Sequence, residues 1–377
     1  VNILVTGARA PIAAEIAMAL AVSDNKVWVT DSLSAPVAAA SPYIQGFLRL
    51  PAPRTSFRSF AIDLAAACER HSIEAIVPTS EEVFWLAGAA PLLPSTVDLR
   101  TSPFSTLASL HDKASFARMA SSLGYGAPES IEISHPSDLA QLKHPELFVF
   151  KPVFSRFSTR TIVSPRLSDL SRLKPDSANR WLAQTRVAGR ELCSYNVAAA
   201  GRILMHVGYE PGFRTRVAAG TYFSPVTHEP LRAMSERFVK ATGFTGQISF
   251  DAIETPDGMV AIECNPRGTS GAHLASQRPR EFAASLLGAG DGAPTPFQAG
   301  PRMLVLPLLL SQPLSWLDPQ RLQMLRAARD APSSAGIPIR AQARALAELA
   351  WLAVRLRVGI RRASTADFEW NGEVLRA

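Results

Sequence analysis

The sequence predicts a protein of mixed α/β and α+β class: a parallel α/β domain at the N-terminus, a larger two-lobed region behind it, and a C-terminal α/β extension. Three observations carry this expectation. Residues 1–101 alternate short apolar runs with helical stretches, the pattern of stacked βαβ units. A strand–turn–strand pattern in Gly246–Gly271 ends in acidic and amide side chains. Two lysines, in a chain that prefers arginine, stand at the opening of a helix and the end of a strand.

The first domain is justified element by element. Asn2–Thr6 is an apolar strand, Gly7 breaks it, Ala13–Ala21 is helical, and Lys26–Thr30 is the second strand. Phe60–Arg70 reads as a helix, Ala75–Pro78 as a short buried strand, and Glu81 and Glu82 as the start of another helix. The first turn, Gly7-Ala8-Arg9-Ala10-Pro11-Ile12, has one glycine where a dinucleotide fingerprint needs three, so Asp31 at the end of the second strand is read as structural. No GxxxxGK[ST] loop occurs.

From Ser102 the character changes. A capped helix over Thr106–Leu123 is followed by a Gly-Tyr-Gly-Ala-Pro break at 124–128 and a mixture of strands and helices to about residue 290. Beyond it, Pro307 interrupts the apolar run Met303–Leu310, and a helix is expected over Ile339–Ile360. Arg340, Arg344, Glu348 and Arg355 stripe one side of that helix, and its charges make it a poor membrane span. Packing onto the protein is the simplest account, with a homodimer face or membrane-interface contact as the alternatives. The expected boundaries are 1–101, 102–290 with lobes meeting near residue 180, and 291–377.

Composition narrows the function classes. A chain of 377 residues, 47% hydrophobic and 19% charged, exceeds one ordinary core and is too apolar for disorder. With 22 Gly and 29 Pro it is neither collagen-like nor low-complexity. Cys68, Cys193 and Cys264 are too far apart for a clustered metal site and too few for a disulfide framework. With an N-terminus that starts as a strand rather than a signal segment, they lead to the expectation of a cytoplasmic protein. Most of the net charge of +7 comes from arginines after residue 320, and no nucleic-acid-binding motif accompanies them, so nucleic acid is not an expected partner.

Chemistry concentrates in three places. Asp251 lies on the first strand of the Gly246–Gly271 hairpin, and Glu263 and Asn265 share one face of the second, about 7 Å apart along the chain. A carboxylate reached through Val260, Ala261 and Ile262 needs a cation or donors beside it. Mg²⁺ on nucleotide phosphates meets that need, because it takes only one or two protein carboxylates and fills its octahedron from phosphate and water. Lys151 ends the apolar strand Leu147–Phe150, and Lys113 opens a helix despite the unfavourable dipole; each suits a phosphate as a compact point charge. In Trp181–Glu191 a strand bends at Gly189, offering backbone groups to an adenine edge and Glu191 to ribose hydroxyls.

Taken in order, Lys113, FVFKP with Lys151, WLAQTRVAGRE with Glu191, and FDAIETPDGMVAIECNPR resemble the ATP-grasp superfamily, in particular its carbamoyl-phosphate-synthase-like and biotin-carboxylase-like carboxylate–amine ligases. The likeness spans about residues 1–290 and includes ILVTGA and the PTSEE segment of the preceding domain. It implies a pre-ATP-grasp domain, a two-lobed ATP-grasp domain, ATP, and one or two Mg²⁺ ions. By the same resemblance, Lys113 and Lys151 contact phosphates, the backbone of Gln184, Thr185, Arg186 and Val187 forms the adenine hinge, and Glu191 binds ribose. Asp251, Glu263 and Asn265 would hold Mg²⁺, with Arg267 beside the transferred phosphoryl group. The implied activity is ATP-dependent joining of a small-molecule carboxylate to an amine through an acyl phosphate, releasing ADP. Bicarbonate-based carboxylation and nucleotide binding without turnover are the alternatives. Arg214, Arg216 and His273 are candidates on the substrate side. Two departures stand out: the flap Ser155–Arg160 contains no glycine, and the first metal position is Asp251 where relatives carry Glu or Gln.

Overall fold

The computed structural model describes residues 1–154, 160–170, 173–213, 220–290, 300–312 and 317–375. The N-terminal elements are β1 (Asn2–Thr6), α1 (Pro11–Ala21), β2 (Lys26–Asp31), β3 (Gly46–Arg49), α2 (Phe57–Arg70), β4 (Ala75–Val77), α3 (Glu82–Ala89) and β5 (Asp98–Leu99). They form a parallel sheet in the order β3-β2-β1-β4-β5. The edge strands β3 and β5 are not visible as periodic patterns, because four and two residues are too few to alternate. Helix α1 starts on Pro11, whose missing N–H falls where no partner is needed. It is apolar nearly all round because it is sandwiched, with Ile12, Ile16 and Leu20 buried.

The expected helix over Thr106–Leu123 is two, α4 (Phe104–His111) and α5 (Lys113–Ser122). Asp112 takes an extended backbone between them, and its carboxylate accepts the Ser115 amide at 2.8 Å. The side-chain cap competes with the helix and wins, which restarts the chain at Lys113.

A four-stranded antiparallel sheet follows. Its elements are β6 (Ser130–Ile133), α6 (Pro136–Gln141), β7 (Phe148–Pro152), β8 (Ile162–Val163), α7 (Leu167–Leu170) and β9 (Trp181–Thr185), with strand order β6-β9-β7-β8. Ile133, Phe150, Leu170, Trp181 and Ala183 form its core.

The largest sheet contains β10 (Arg190–Ala199), β11 (Arg202–Gly212), β12 (Tyr222–Val226), then α8 (Glu229–Thr242), β13 (Gly246–Thr255) and β14 (Gly258–Asn265). After α9 (Ala272–Ala275) and α10 (Pro279–Leu286) come β15 (Arg302–Met303), α11 (Val305–Ser311), α12 (Pro319–Ala327), β16 (Arg329–Asp330), α13 (Ala331–Ser334), α14 (Ile339–Leu356) and α15 (Ile360–Ala363). The sheet order is β14-β13-β10-β11-β12-β15-β16, so residues beyond 300 extend the central sheet. Pro307 does not interrupt its run: it falls in the first turn of α11, where a missing N–H is tolerated.

One face of this sheet, with Cys193, Tyr195, Val207 and Tyr209, packs against α9 and α10, which in turn pack on α1 and so join the N-terminal domain to the larger one. The opposite face carries Leu192, Phe250, Ala252 and Cys264 against Phe116 and the Leu231, Met234 and Phe238 face of α8. Helix α14 ends at Leu356, where Arg357 turns left-handed at φ 53°. Glu348, expected on the solvated stripe, instead accepts the Ser34 and Ala35 amides at 2.8 Å each and braces α14 to the N-terminal domain. Among the described residues, no helix is long and apolar enough to cross a membrane.

Candidate active site

The hairpin forms as its pattern requires. Asp251 stands opposite Glu263 and Ser249 opposite Asn265, which puts the two acids and the amide on one face. A bulge after Asp251 leaves Ile262 unpaired and brings Ala252 opposite Ala261. It twists the strand ends beside the acids, a common place for such an irregularity. Cys264 points to the opposite face and is buried in the core.

Both lysines turn inward. Lys113, at 1% exposure, lies 3.6 Å from a Glu263 carboxylate oxygen and donates to the Val153 carbonyl at 3.5 Å. Lys151 is also buried, at the end of β7. Burial pushes its ammonium down to about 8; Lys113 adds to the shift, while Glu263 and Asp251 oppose it. Two ammonium groups and two carboxylates from α5, β7, β13 and β14 therefore form one electrostatic unit.

Arg267, just past β14, donates to Asn265 Oδ1 at 3.0 Å and to the Gly268 carbonyl at 3.2 Å, and its Nε lies 3.5 Å from Glu81. Burial lowers its pKa, against Glu263, Glu82 and Asp251, which raise it. The N-terminal domain reaches this corner through Thr79–Glu82. There Glu82 accepts the Thr79 and Ser80 amides at 2.9 and 3.0 Å and the Thr6 hydroxyl at 2.8 Å. Gly268 permits the contact, since a Cβ there would stand 2.6 Å from the Thr79 carbonyl oxygen. Gln247 closes it further by donating to the Pro78 carbonyl at 2.5 Å.

The residues expected to meet an adenine lie at the other end of the β7–β9 ladder from Lys151, with Thr185 opposite Phe148. Gln184 is buried in β9, and its side-chain amide donates to Ser130 at 2.9 Å, so the side chain faces β6. The Arg186 amide donates to the Leu147 carbonyl at 3.2 Å, its side chain is exposed, and Val187 is half-buried. Glu191 is exposed at the start of β10, opposite Ile253 and two residues before Cys193, which pairs with Asp251. It thus shares the face of the metal-binding candidates, one ladder step away.

Other expectations resolve differently. His273 is buried in α9 against Glu15 of α1 and stacked on Phe223 at 5.5 Å, so it belongs to the domain interface rather than the substrate side. Arg214, Arg216 and residues 155–159 of the expected flap lie outside the described residues. Arg160 stacks on Trp181 at 4.8 Å and donates to Asn179 at 3.2 Å. Asp31, the would-be ribose ligand of a dinucleotide fold, accepts the Arg9 amide at 2.8 Å and the Arg9 Nε–H at 2.9 Å, which occupies both carboxylate oxygens internally.

Sequence reasoning missed His111, whose two ring nitrogens are buried without hydrogen-bond partners and whose ring contacts Phe84 and Phe154. Burial, Lys113 and Arg267 hold its pKa well below 6.5, so it is neutral. Only its place two residues before Lys113 hinted at the site.

Among the described residues, no group of three or more His, Cys, Asp or Glu side chains is placed to hold a metal ion. Two opposed carboxylates and an amide oxygen are hard donors that fit Mg²⁺ taking most of its ligands from phosphate and water.

No family model and no curated protein matches the sequence. Solved structures do match the fold. An L-amino acid ligase from Bacillus licheniformis shares 15% identity over 80% of this chain and 78% of its own, with a TM-score of 0.61. An N5-carboxyaminoimidazole ribonucleotide synthetase from Thermus thermophilus shares 15% over 80% and 82%, with a TM-score of 0.60. A biotin carboxylase from Campylobacter jejuni, solved as a β,γ-ATP complex, shares 14% over 79% and 74%, with a TM-score of 0.59. The chain has the fold of the ATP-grasp superfamily, preceded by a parallel α/β domain.

Proposed function

We propose that the protein is an ATP- and Mg²⁺-dependent ligase that joins a carboxylate to an amine through an acyl phosphate and releases ADP and phosphate. The observation that carries this reading is the convergence of buried Lys113 and Lys151 on Asp251 and Glu263, with Arg267 just past the end of β14. Structural neighbours of this chain include a ligase of amino acids and an enzyme described with bound ATP. The proposed division of labour keeps 1–101 as the pre-ATP-grasp domain, 102–290 as the ATP-grasp domain and 291–377 as an extension.

Asp251, Glu263 and Asn265 would hold Mg²⁺, which when bound offsets phosphate charge as the γ-phosphoryl group moves. Lys151 and Lys113 present ammonium charge to the phosphates from β7 and α5, in a buried setting that strengthens every charge-assisted contact. Arg267, already fixed by Asn265 and Gly268, offers its remaining guanidinium donors to the phosphoryl or acyl-phosphate oxygens. The backbone of residues 184–187 would meet the adenine and Glu191 the ribose.

A second reading keeps the same site with bicarbonate as the attacking carboxylate. It is favoured by the carboxylase neighbour, whose TM-score is almost that of the amino acid ligase. ADP release measured over a panel of amino acid pairs, against bicarbonate alone, separates the two. Dependence on an amine supports the ligase, and dependence on bicarbonate alone replaces it with the carboxylation reading.

A further inference from the structure

We propose that Glu81 is a positioning residue for Arg267, and that the C-terminal strap, residues 364–375, holds Glu81 in that role through Trp370. The inference rests on the reading of Arg267 as the group beside the transferred phosphoryl. Glu81 is 1% exposed, and a carboxylate so buried requires compensation. One oxygen lies 3.5 Å from Arg267 Nε, and the other accepts the Trp370 amide at 3.5 Å. Glu81 thus stands between the end of β14 and the far end of the chain. Its own loop cannot drift, because Glu82 is bonded to Thr6, Thr79 and Ser80.

The strap is anchored along its length. Asp367 pairs with Arg9 at 2.7 Å, and Arg54 pairs with Glu369 at 2.5 Å and Glu373 at 2.7 Å. Trp85 Nε1 donates to the Phe368 carbonyl at 2.7 Å. Between these anchors the Trp370 ring stacks on Phe84 at 4.8 Å and meets Phe104 at 5.3 Å and Phe154 at 4.9 Å edge-on. Phe84 lies in α3, three residues after Glu81, Phe104 opens α4, and Phe154 lies three residues past Lys151. One side chain therefore touches the helix that Glu81 precedes, the segment that follows Lys151 and the helix that precedes Lys113. A strap needed only to cap a core would not send its backbone amide to an active-site acid.

The test titrates Mg-ADP, alone and with aluminium fluoride, into the full chain and its variants, with thermal melting as a folding control. The fluoroaluminate mimics the transferred phosphoryl group and needs no knowledge of the acid or amine. The parent should gain about tenfold or more in affinity on adding fluoroaluminate, and Arg267→Ala should lose that gain. Glu81→Gln and Trp370→Ala should lose most of it while Mg-ADP affinity stays within about threefold, and Trp370→Phe should restore it. If Glu81→Gln keeps the whole gain while Arg267→Ala loses it, the proposal alone is overturned. It is overturned equally if Glu81→Gln weakens Mg-ADP as much as it weakens the fluoroaluminate complex, since the role is then merely structural. A parent with no gain, or an Arg267→Ala variant that keeps it, overturns the reading of Arg267 and the proposal with it.

Discussion

The buried ammonium of Lys113 lies 3.6 Å from the Glu263 carboxylate, although one opens α5 and the other sits in β14. The pair forms because α5 packs on β14, with Phe116 buried beside Phe250 at 6.2 Å. An apolar contact thus holds a cation and an anion side by side, and in the proposed reading phosphate and Mg²⁺ would take over their pairing.

Glu263→Gln removes the anion and leaves Lys113 buried without that partner. ADP formation should fall by about a hundredfold or more, because a charge-assisted ligand is lost where transition-state charge develops. The variant should still fold, since Glu263 is partly exposed and Lys113 keeps the Val153 carbonyl. An ADP-release assay beside circular dichroism checks both statements.

Lys151→Ala should weaken ATP binding by about tenfold to a hundredfold, the worth of one hydrogen bond to a charged group. Lys151→Arg should recover only part of it, because a longer, planar guanidinium must fit where a compact ammonium is buried at the end of β7. Equilibrium dialysis with Mg-ATP gives the ratio directly, and equal affinity in parent and alanine variant would remove Lys151 from the site.

Gly268→Ala inserts a Cβ 2.6 Å from the Thr79 carbonyl and 2.8 Å from Gln247 Oε1. Overpacking against backbone should cost about 1–3 kcal/mol in urea unfolding. It should also lower turnover by moving Arg267 away from Asn265. A contrasting substitution is Gly124→Ala, which meets nothing within 4 Å and is strained only by its φ of 80°.

Asp367 supplies a pH dependence. Burial by itself pushes its carboxyl up, but the Arg9 guanidinium and the Ser32 hydroxyl outweigh it and hold it below the usual carboxylate range. A depressed folded-state pKa means that the stabilisation is present above the unfolded value of about 3.9 and is lost as pH falls through the folded value. Asp367→Asn should therefore be less stable than the parent by about 1–3 kcal/mol near neutrality, and the gap should narrow as acid protonates the parent. Urea midpoints measured down the acid limb check this.

The convergence of the candidate residues was legible because they sit on elements with strong periodicity. Asp251, Glu263 and Asn265 follow from a hairpin whose turn, Pro256-Asp257-Gly258, is written in the chain, and Lys151 from an unbroken apolar strand. Lys113 was legible as an exception to the chain's preference for arginine. Glu81 and Trp370 were not, because their meeting depends on the last residues returning across the first domain, and no local pattern encodes a contact of that sequence separation. His273 was misplaced for a related reason: its partner is Glu15, the one charged residue of an otherwise apolar α1, 258 positions away in the chain. The break at Asp112 was hidden because the residues on both sides favour helix, and only the cap geometry ends it.

The central claim is that this cleft binds Mg-ATP and transfers its terminal phosphoryl group to a carboxylate. Its most direct test is to incubate the full chain with Mg-ATP and an acid–amine panel and identify the nucleotide product. The account predicts ADP with inorganic phosphate, abolished by Glu263→Gln. AMP with pyrophosphate, or no nucleotide binding by the parent chain, would contradict it.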